Sequence, residues 1–199
     1  MKKAIIIFVR NPELGKVKTR LANEVGDEQA LQVYKELLQH THKITSDLDC
    51  AKFVYYADSI AENDLWESSL FGKKVQEGES LGDRMMLAFF ELFQQGYSKI
   101  VIIGSDCPEL TGFIIEDAFD KLDSSDVVIG PSSDGGYYLL GLTQLVPELF
   151  KNKQWSTNTV LADTIQDTVS LRKSCSFLTE LSDIDTAEDL HLYQQMLKE

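Results

Sequence analysis

Four stretches of this chain carry side chains suited to phosphate and to hard metal ions, and they are spread along most of its length. Gly15-Lys-Val-Lys-Thr-Arg20 places Lys16, Lys18 and Arg20 at alternating positions. In an extended loop that alternation would put the three cations on one side, while Gly15 would let backbone N–H groups approach phosphate oxygens. Arg10 stands just upstream, and Glu13 is the only acid in the first twenty residues. Cations crowded without acid neighbours repel one another, which favours an anion site over a solvated basic loop. The pattern is not a P-loop, because the earlier glycine that motif needs is missing.

The other three stretches supply carboxylates. Gly104-Ser-Asp-Cys-Pro108 closes an apolar run, and Pro108 biases Cys107 toward extended backbone, leaving Asp106 at a strand tip. A carboxylate there is a candidate ligand for magnesium or manganese, although Asp close before Pro also builds ordinary turns. Asp183-Ile-Asp185-Thr-Ala-Glu-Asp189 brings several acids to a helix start. A helix amino terminus accounts for Glu188 and Asp189, and Asp185 is the better second metal ligand although capping would also explain it. Gly130-Pro-Ser-Ser-Asp134-Gly-Gly-Tyr137 offers Asp134 as a hydrogen-bond partner for a substrate hydroxyl or as a general base, with Gly135, Gly136 and Tyr137 beside it. Asp-Gly is equally a turn signal. Arg84, in Leu81-Gly-Asp-Arg-Met85, would face the same crevice, and Trp155-Ser-Thr-Asn158 would give an aromatic wall and a helix cap.

The elements around these stretches alternate. Ala4–Val9, Lys52–Ala57, Lys99–Gly104, Asp126–Gly130 and Tyr137–Leu142 read as strands, the last two as an antiparallel pair. Ala30, Val33, Tyr34, Leu37 and Thr41 recur at helical spacing behind Asp27, which is placed to cap them. Met86, Phe89, Phe90 and Phe93 form a second stripe, and Ile115, Ala118, Phe119 and Leu122 a third after the Thr111 cap. Leu190, Tyr193 and Leu197 continue the last helix. This order predicts one α/β domain over residues 1–199, its mainly parallel sheet covered on both faces. The two loops after Ala4–Val9 and Lys99–Gly104 would then lie at strand carboxyl ends, where open sheets bind ligands.

Composition bounds the function. In 199 residues, 43% hydrophobic, 19 Lys and Arg face 32 Asp and Glu, for a net charge of -13, which argues against affinity for nucleic acid or an anionic membrane. No apolar run reaches membrane-spanning length, so a cytoplasmic protein is expected. Cys50, Cys107 and Cys175 lack the spacing of a zinc or disulfide framework and read as reduced thiols. His40, His42 and His191 suggest no catalytic arrangement.

In combination, Asn11-Pro-Glu-Leu-Gly-Lys-Val-Lys-Thr-Arg-Leu21, Leu81-Gly-Asp-Arg-Met85, Gly104-Ser-Asp-Cys-Pro108, Gly130-Pro-Ser-Ser-Asp-Gly-Gly-Tyr-Tyr138, Trp155-Ser156 and Asp183-Ile-Asp-Thr-Ala-Glu-Asp-Leu190 resemble the radical-SAM/selenodomain-associated transferase family of the glycosyltransferase-A superfamily. The resemblance spans nearly the whole chain. It implies a three-layer α/β/α sandwich of the nucleotide-diphospho-sugar transferase type with a mostly parallel mixed sheet. It also implies that the loop from Gly15 to Arg20 lies over the nucleotide phosphates, with Mg2+ or Mn2+ on Asp106 and Asp185. The implied activity is metal-dependent transfer of a sugar from a nucleoside diphosphate to a small-molecule acceptor. The alternatives are transfer of a nucleoside monophosphate from a nucleoside triphosphate, releasing pyrophosphate, and a non-catalytic nucleotide-binding module. Asp-x-Asp, usual in glycosyltransferases of this fold, is replaced here by Ser105-Asp106-Cys107-Pro108. A homodimer is compatible with this reading.

Overall fold

The computed structural model describes residues 2–61 and 63–196. Its elements are β1 (Lys3–Val9), α1 (Thr19–Val25), α2 (Asp27–Ser46), β2 (Ala51–Tyr56), β3 (Phe71–Val75), α3 (Leu81–Gln94), β4 (Lys99–Ile103), α4 (Gly112–Lys121), β5 (Val127–Pro131), β6 (Tyr137–Leu142), a 3-10 turn (Pro147–Phe150), α5 (Val160–Ser170), β7 (Cys175–Phe177) and α6 (Ala187–Met196). The strands form one sheet in the order β3-β2-β1-β4-β6-β5-β7. β6 alone runs against its neighbours β4 and β5; every other pairing is parallel.

Alternation along β1 divides the core. Ile5, Ile7 and Val9 face α2 and α4, while Ala4 and Ile6 face α3, α5 and the 3-10 turn. A third, smaller core ties α1, α2 and α6 together through Leu21, Ala30, Val33, Leu37, Ile184 and Leu190. β1 is the topological pivot: the chain leaves it toward β2 and β3 on one side, then returns through α3 to β4 on the other. Ile7 pairs with Ile103, so β1 and β4 end at the same edge of the sheet. Open α/β sheets present their binding crevice at such a switch.

Several sequence expectations need correction. α3 buries Met85, Ala88, Phe89 and Leu92, with Met86 and Phe93 partly buried against the same core, while Phe90 of the expected stripe is 46% exposed; Ser80 and Asp83 form a capping box at the start of the helix. Such a box contributes about 1 kcal/mol. Gly26, rather than Asp27, occupies the cap position of α2, and Asp27 lies in its first turn. Thr159, not Asn158, precedes α5. β3 was not legible as a strand, because it is an edge element carrying Lys73 and Lys74. Thr111 does cap α4, accepting from the Ile114 N–H, and its buried face is Ile115, Ala118 and Phe119. Leu197, expected on α6, lies outside the described residues. The cysteines are unpaired. Among the described residues no helix is long and apolar enough to cross a membrane.

Candidate functional site

The segment after β1 is not extended. Glu13 accepts from the Lys16 N–H to close a turn, Gly15 adopts a left-handed conformation (φ 73°), and Lys18 adopts another (φ 48°, ψ 45°) just before α1 begins at Thr19. A left-handed lysine costs about 1 kcal/mol. It is held there by Val17, which is 2% exposed and inserts into the core, so that the next side chain turns toward the crevice. Thr19 then starts α1 without a side-chain cap on Lys18, which explains why this helix carried no sequence signal.

Lys18 is the centre of the site. Its side chain is 3% exposed, and its ammonium stands 3.2 Å from Asp106 Oδ1 and 3.2 Å from Asp185 Oδ1. Arg20 donates to the other oxygen of Asp185 at 3.4 Å. Lys16 remains exposed and pairs with Glu13 at 2.7 Å. The expectation of three equivalent cations without acid partners is therefore corrected. The turn at Lys18 gives each cation its own direction, and two acids from distant segments neutralise the buried one.

The two carboxylates reach Lys18 by different routes. Asp106 lies just past the end of β4, after Gly104 and Ser105, anchored by the buried Ser105 and Cys107 on either side. Residues 181–185 run along the end of β5: Leu181 donates to Pro131 O, Ser133 donates to Leu181 O, and the Ile184 N–H donates to Asp106 O at 3.2 Å. This last bond sets Asp185 beside Asp106. Thr186 and Asp189, rather than Asp185, cap α6: the Asp189 carboxylate accepts from the Asp185 and Thr186 N–H groups, and Thr186 Oγ1 accepts from the Asp189 N–H. Asp185 is thereby released to face the cleft.

Two further groups lie beneath these acids. Asp183 accepts from Ser132 Oγ at 3.2 Å, and burial together with the nearby Asp106 carboxylate pushes its pKa up to about 7 against the opposing pull of Lys18. Tyr34, from α2, accepts from the Arg10 N–H, donates to Arg10 O and lies 3.4 Å from Ser105 Oγ; burial and the charge on Asp106 push it up to about 12.

Around this centre opens a cleft of about 610 Å3, lined by Arg10, Lys16, Lys18, Arg20 and Arg84 among the cations and by Asp106, Asp134 and Asp185 among the acids. A smaller apolar wing of about 220 Å3 continues from it, walled by Leu81, Met85, Tyr137, Trp155 and Val160. Phe8, Leu81, Gly104, Asp134 and Ser156 border both. Asp134 uses one oxygen to accept from the Gly136 N–H at 2.8 Å, so its turn role is real while its side chain still borders the cleft. Gly135 is left-handed (φ 87°), and a Cβ there would stand 2.3 Å from Asn158 O, so the turn packs onto the segment before α5. Arg84 donates from Nε to Gly78 O at 3.1 Å.

Of the residues expected from sequence, Arg10, Lys16, Lys18, Arg20, Arg84, Asp106, Asp134 and Asp185 share the large cleft, and Gly136, Tyr137 and Trp155 share the apolar wing. Gly15 and Gly135 shape turns behind the walls and line neither. Tyr34, Ser105, Leu81 and Gln76 also line the large cleft and were not anticipated. Tyr34 was hidden within a core stripe, and Gln76 follows the unrecognised β3.

Asp106 and Asp185 are the pair that could hold a divalent ion. Both offer hard oxygen donors, both retain substantial exposure, and both already converge on one cationic point, the Lys18 ammonium. Among the described residues no group of three or more His, Cys, Asp or Glu is arranged to hold a metal, so phosphate oxygens and water would complete the coordination.

The family model described as "Uncharacterized protein conserved in bacteria (DUF2064)" matches residues 40–157. A solved structure from Desulfovibrio desulfuricans G20, provisionally described as a nucleotide-diphospho-sugar transferase, is 31% identical and superposes with a TM-score of 0.91, covering 100% of this chain and 89% of its own. The 2-phospho-L-lactate guanylyltransferase of Methanocaldococcus vulcanius is 27% identical over 187 residues, 94% of this chain and 82% of that protein. The inositol-1-phosphate CTP transferase of T. maritima is 16% identical and shares the fold at a TM-score of 0.63, covering 100% of this chain and 96% of its own. The fold is that of the nucleotide-diphospho-sugar transferases.

Proposed function

This chain belongs to the bacterial protein family DUF2064, and from that membership and the chemistry of its cleft we propose that it is a nucleotidyltransferase, joining the nucleoside monophosphate part of a nucleoside triphosphate to a small phosphorylated acceptor with release of pyrophosphate. The observation that carries this reading is the convergence of Asp106, Asp185 and Lys18 on one point of a cleft whose walls also carry Arg10, Lys16, Arg20 and Arg84. So much positive charge suits a triphosphate better than the diphosphate of a nucleotide-sugar. The guanylyl and CTP transferases among the similar proteins support nucleotidyl over glycosyl transfer, as does the lone acid in Ser105-Asp106-Cys107-Pro108. Resemblance to the radical-SAM/selenodomain-associated transferases fits the same reading.

In the proposed reaction an oxygen of the acceptor phosphate bonds to the α-phosphorus. The bond from the α-phosphorus to the bridging oxygen breaks, and its electron pair leaves with pyrophosphate. A divalent ion on Asp106 and Asp185 would act as a Lewis acid, neutralising charge on the phosphate oxygens. Lys18, whose ammonium shares these acids with the ion, would turn to the transferring phosphate and stabilise the charge gathering there. Lys16 and Arg20, on the more open side, take the departing pyrophosphate. An acceptor phosphate is already ionised at neutral pH, so no general base is required. Asp134, with one oxygen spent on its turn, positions the acceptor at the mouth of the apolar wing, where Tyr137 and Trp155 receive its body.

A thermal-shift panel tests the assignment of the donor. Nucleoside triphosphates with magnesium or manganese should raise Tm more than the matching nucleoside-diphosphate sugars, and the shift should vanish with chelator. Stabilisation by nucleotide-sugars alone would return the assignment to glycosyl transfer.

A further inference from the structure

The large cleft has a polar end on the β1-β2-β3 side of the sheet, walled by Arg10, Ala57, Gln76 and Arg84 and divided from the apolar wing by Leu81, which borders both. Gln76 is unusual in that the protein already dictates which way its amide points. Its backbone N–H donates to Tyr56 O at 2.8 Å, prolonging the pairing of β3 with β2. Its side-chain Nε2 then donates to Tyr55 O at 2.9 Å and to Val9 O at 3.3 Å. Both carbonyls belong to strands of the sheet, so both Nε2 protons have fixed acceptors. Flipping the amide would set Oε1 against two carbonyl oxygens. Among the described residues no group donates to Oε1, and it is not one of the buried unpartnered atoms. Gln76 therefore presents to the cleft a single oriented acceptor and no donor.

Beside it Leu81 is 42% exposed, an apolar surface against which a flat ring can lie. With phosphates at Lys18 and Arg20 and the acceptor in the apolar wing, this end remains for the nucleoside. We infer that Gln76 reads the base, and that the chain takes a nucleotide whose base carries an exocyclic amino group. The inference rests on the nucleotide reading of the cleft. An amino group donates to Oε1, whereas the O4 of uracil or thymine meets it as oxygen against oxygen, and hypoxanthine lacks the 2-amino donor of guanine.

Titration calorimetry with magnesium and three matched pairs, GTP with ITP, CTP with UTP and ATP with purine riboside triphosphate, isolates the amino group. In the pair that binds most tightly, the amino-bearing nucleotide should bind about tenfold more strongly or better. In Gln76→Met the two members should come within about twofold, with the weaker one little changed, an effect a purely structural role for Gln76 would not produce. Equal binding within all three pairs, tighter binding of the member without the amino group, or survival of the preference in Gln76→Met would overturn the inference. The wild-type comparison stands even if the variant fails to fold. Repeating it with the matching diphosphates separates the two claims: a base preference among diphosphates, with no triphosphate turned over, would retain this inference and reject nucleotidyl transfer. Binding of none of these nucleotides would reject both.

Discussion

Lys18 and Asp185, 167 positions apart in the chain, meet at 3.2 Å, and the same ammonium lies 3.2 Å from Asp106. A buried cation thus occupies the point at which two exposed carboxylates from different ends of the fold converge. The arrangement keeps the acids together in the absence of any ligand.

Replacing that ammonium separates its two effects. Lys18→Met keeps the length of the side chain but leaves Asp106 without its cation and Asp185 with Arg20 alone. Turnover should fall about 100-fold to 1000-fold, the usual cost of removing a charge that stabilises a transition state. Binding of Mn2+ in the absence of nucleotide, followed by electron paramagnetic resonance, should become tighter, because the metal no longer competes with an ammonium. Weaker Mn2+ binding in the variant would contradict the placement of the metal on these two acids.

Asp185 and Thr186 are neighbours with separable duties. Asp185→Asn should leave Tm within about 2 °C of wild type, since Thr186 and Asp189 cap α6 without it, yet turnover should fall by about 100-fold. Thr186→Ala removes the hydroxyl of the cap and should cost about 1 kcal/mol, lowering Tm by about 2–4 °C. Denaturation curves and steady-state rates on the two variants check the division; a large loss of stability in Asp185→Asn would return the residue to a capping role.

How far the sequence reached follows from where each signal lies. β1 and β4 are β-branched runs buried on both faces, so their carboxyl ends, and Asp106 with them, could be placed without coordinates. The start of α6 was legible from its cluster of acids, but the acid that caps and the one that faces the cleft differ only in tertiary hydrogen bonds. α1 was invisible because its cap is a left-handed lysine. The direction of Lys18 depends on the burial of Val17, and the role of Gln76 depends on carbonyls of two strands that are remote in sequence. Such facts are properties of packing, which periodicity does not record.

Tyr137 carries a buried hydroxyl that has no hydrogen-bond partner among the described residues. A buried hydroxyl ordinarily contributes when bonded, but an orphan costs about 1–3 kcal/mol of desolvation. Tyr137→Phe should therefore leave the ligand-free protein as stable or raise its Tm by about 1–4 °C, the reverse of the usual sign for this substitution. A drop in Tm would show that the hydroxyl is bonded in solution.

Burial pushes the Cys107 thiol up to about 12 and Cys50 up to about 11. A raised thiol pKa means less thiolate at any pH below it, and the thiolate is the reactive form. Both residues should resist iodoacetamide in the native protein at pH 8, with alkylation of Cys50 rising about tenfold for each unit of pH up to its pKa. Peptide mapping by mass spectrometry measures each site, and full labelling of either at pH 8 within the time that denatured protein reacts would contradict the burial.

The central claim concerns which bond breaks, and phosphorus NMR during turnover observes it directly. With an amino-bearing nucleoside triphosphate, magnesium and a panel of phosphorylated small molecules, the resonances of pyrophosphate and of a new acceptor diphosphate should grow in equal amounts, and both should grow about 100-fold to 1000-fold more slowly with Lys18→Met. Growth of a nucleoside diphosphate from a nucleotide-sugar, with no pyrophosphate from any triphosphate, would contradict the account.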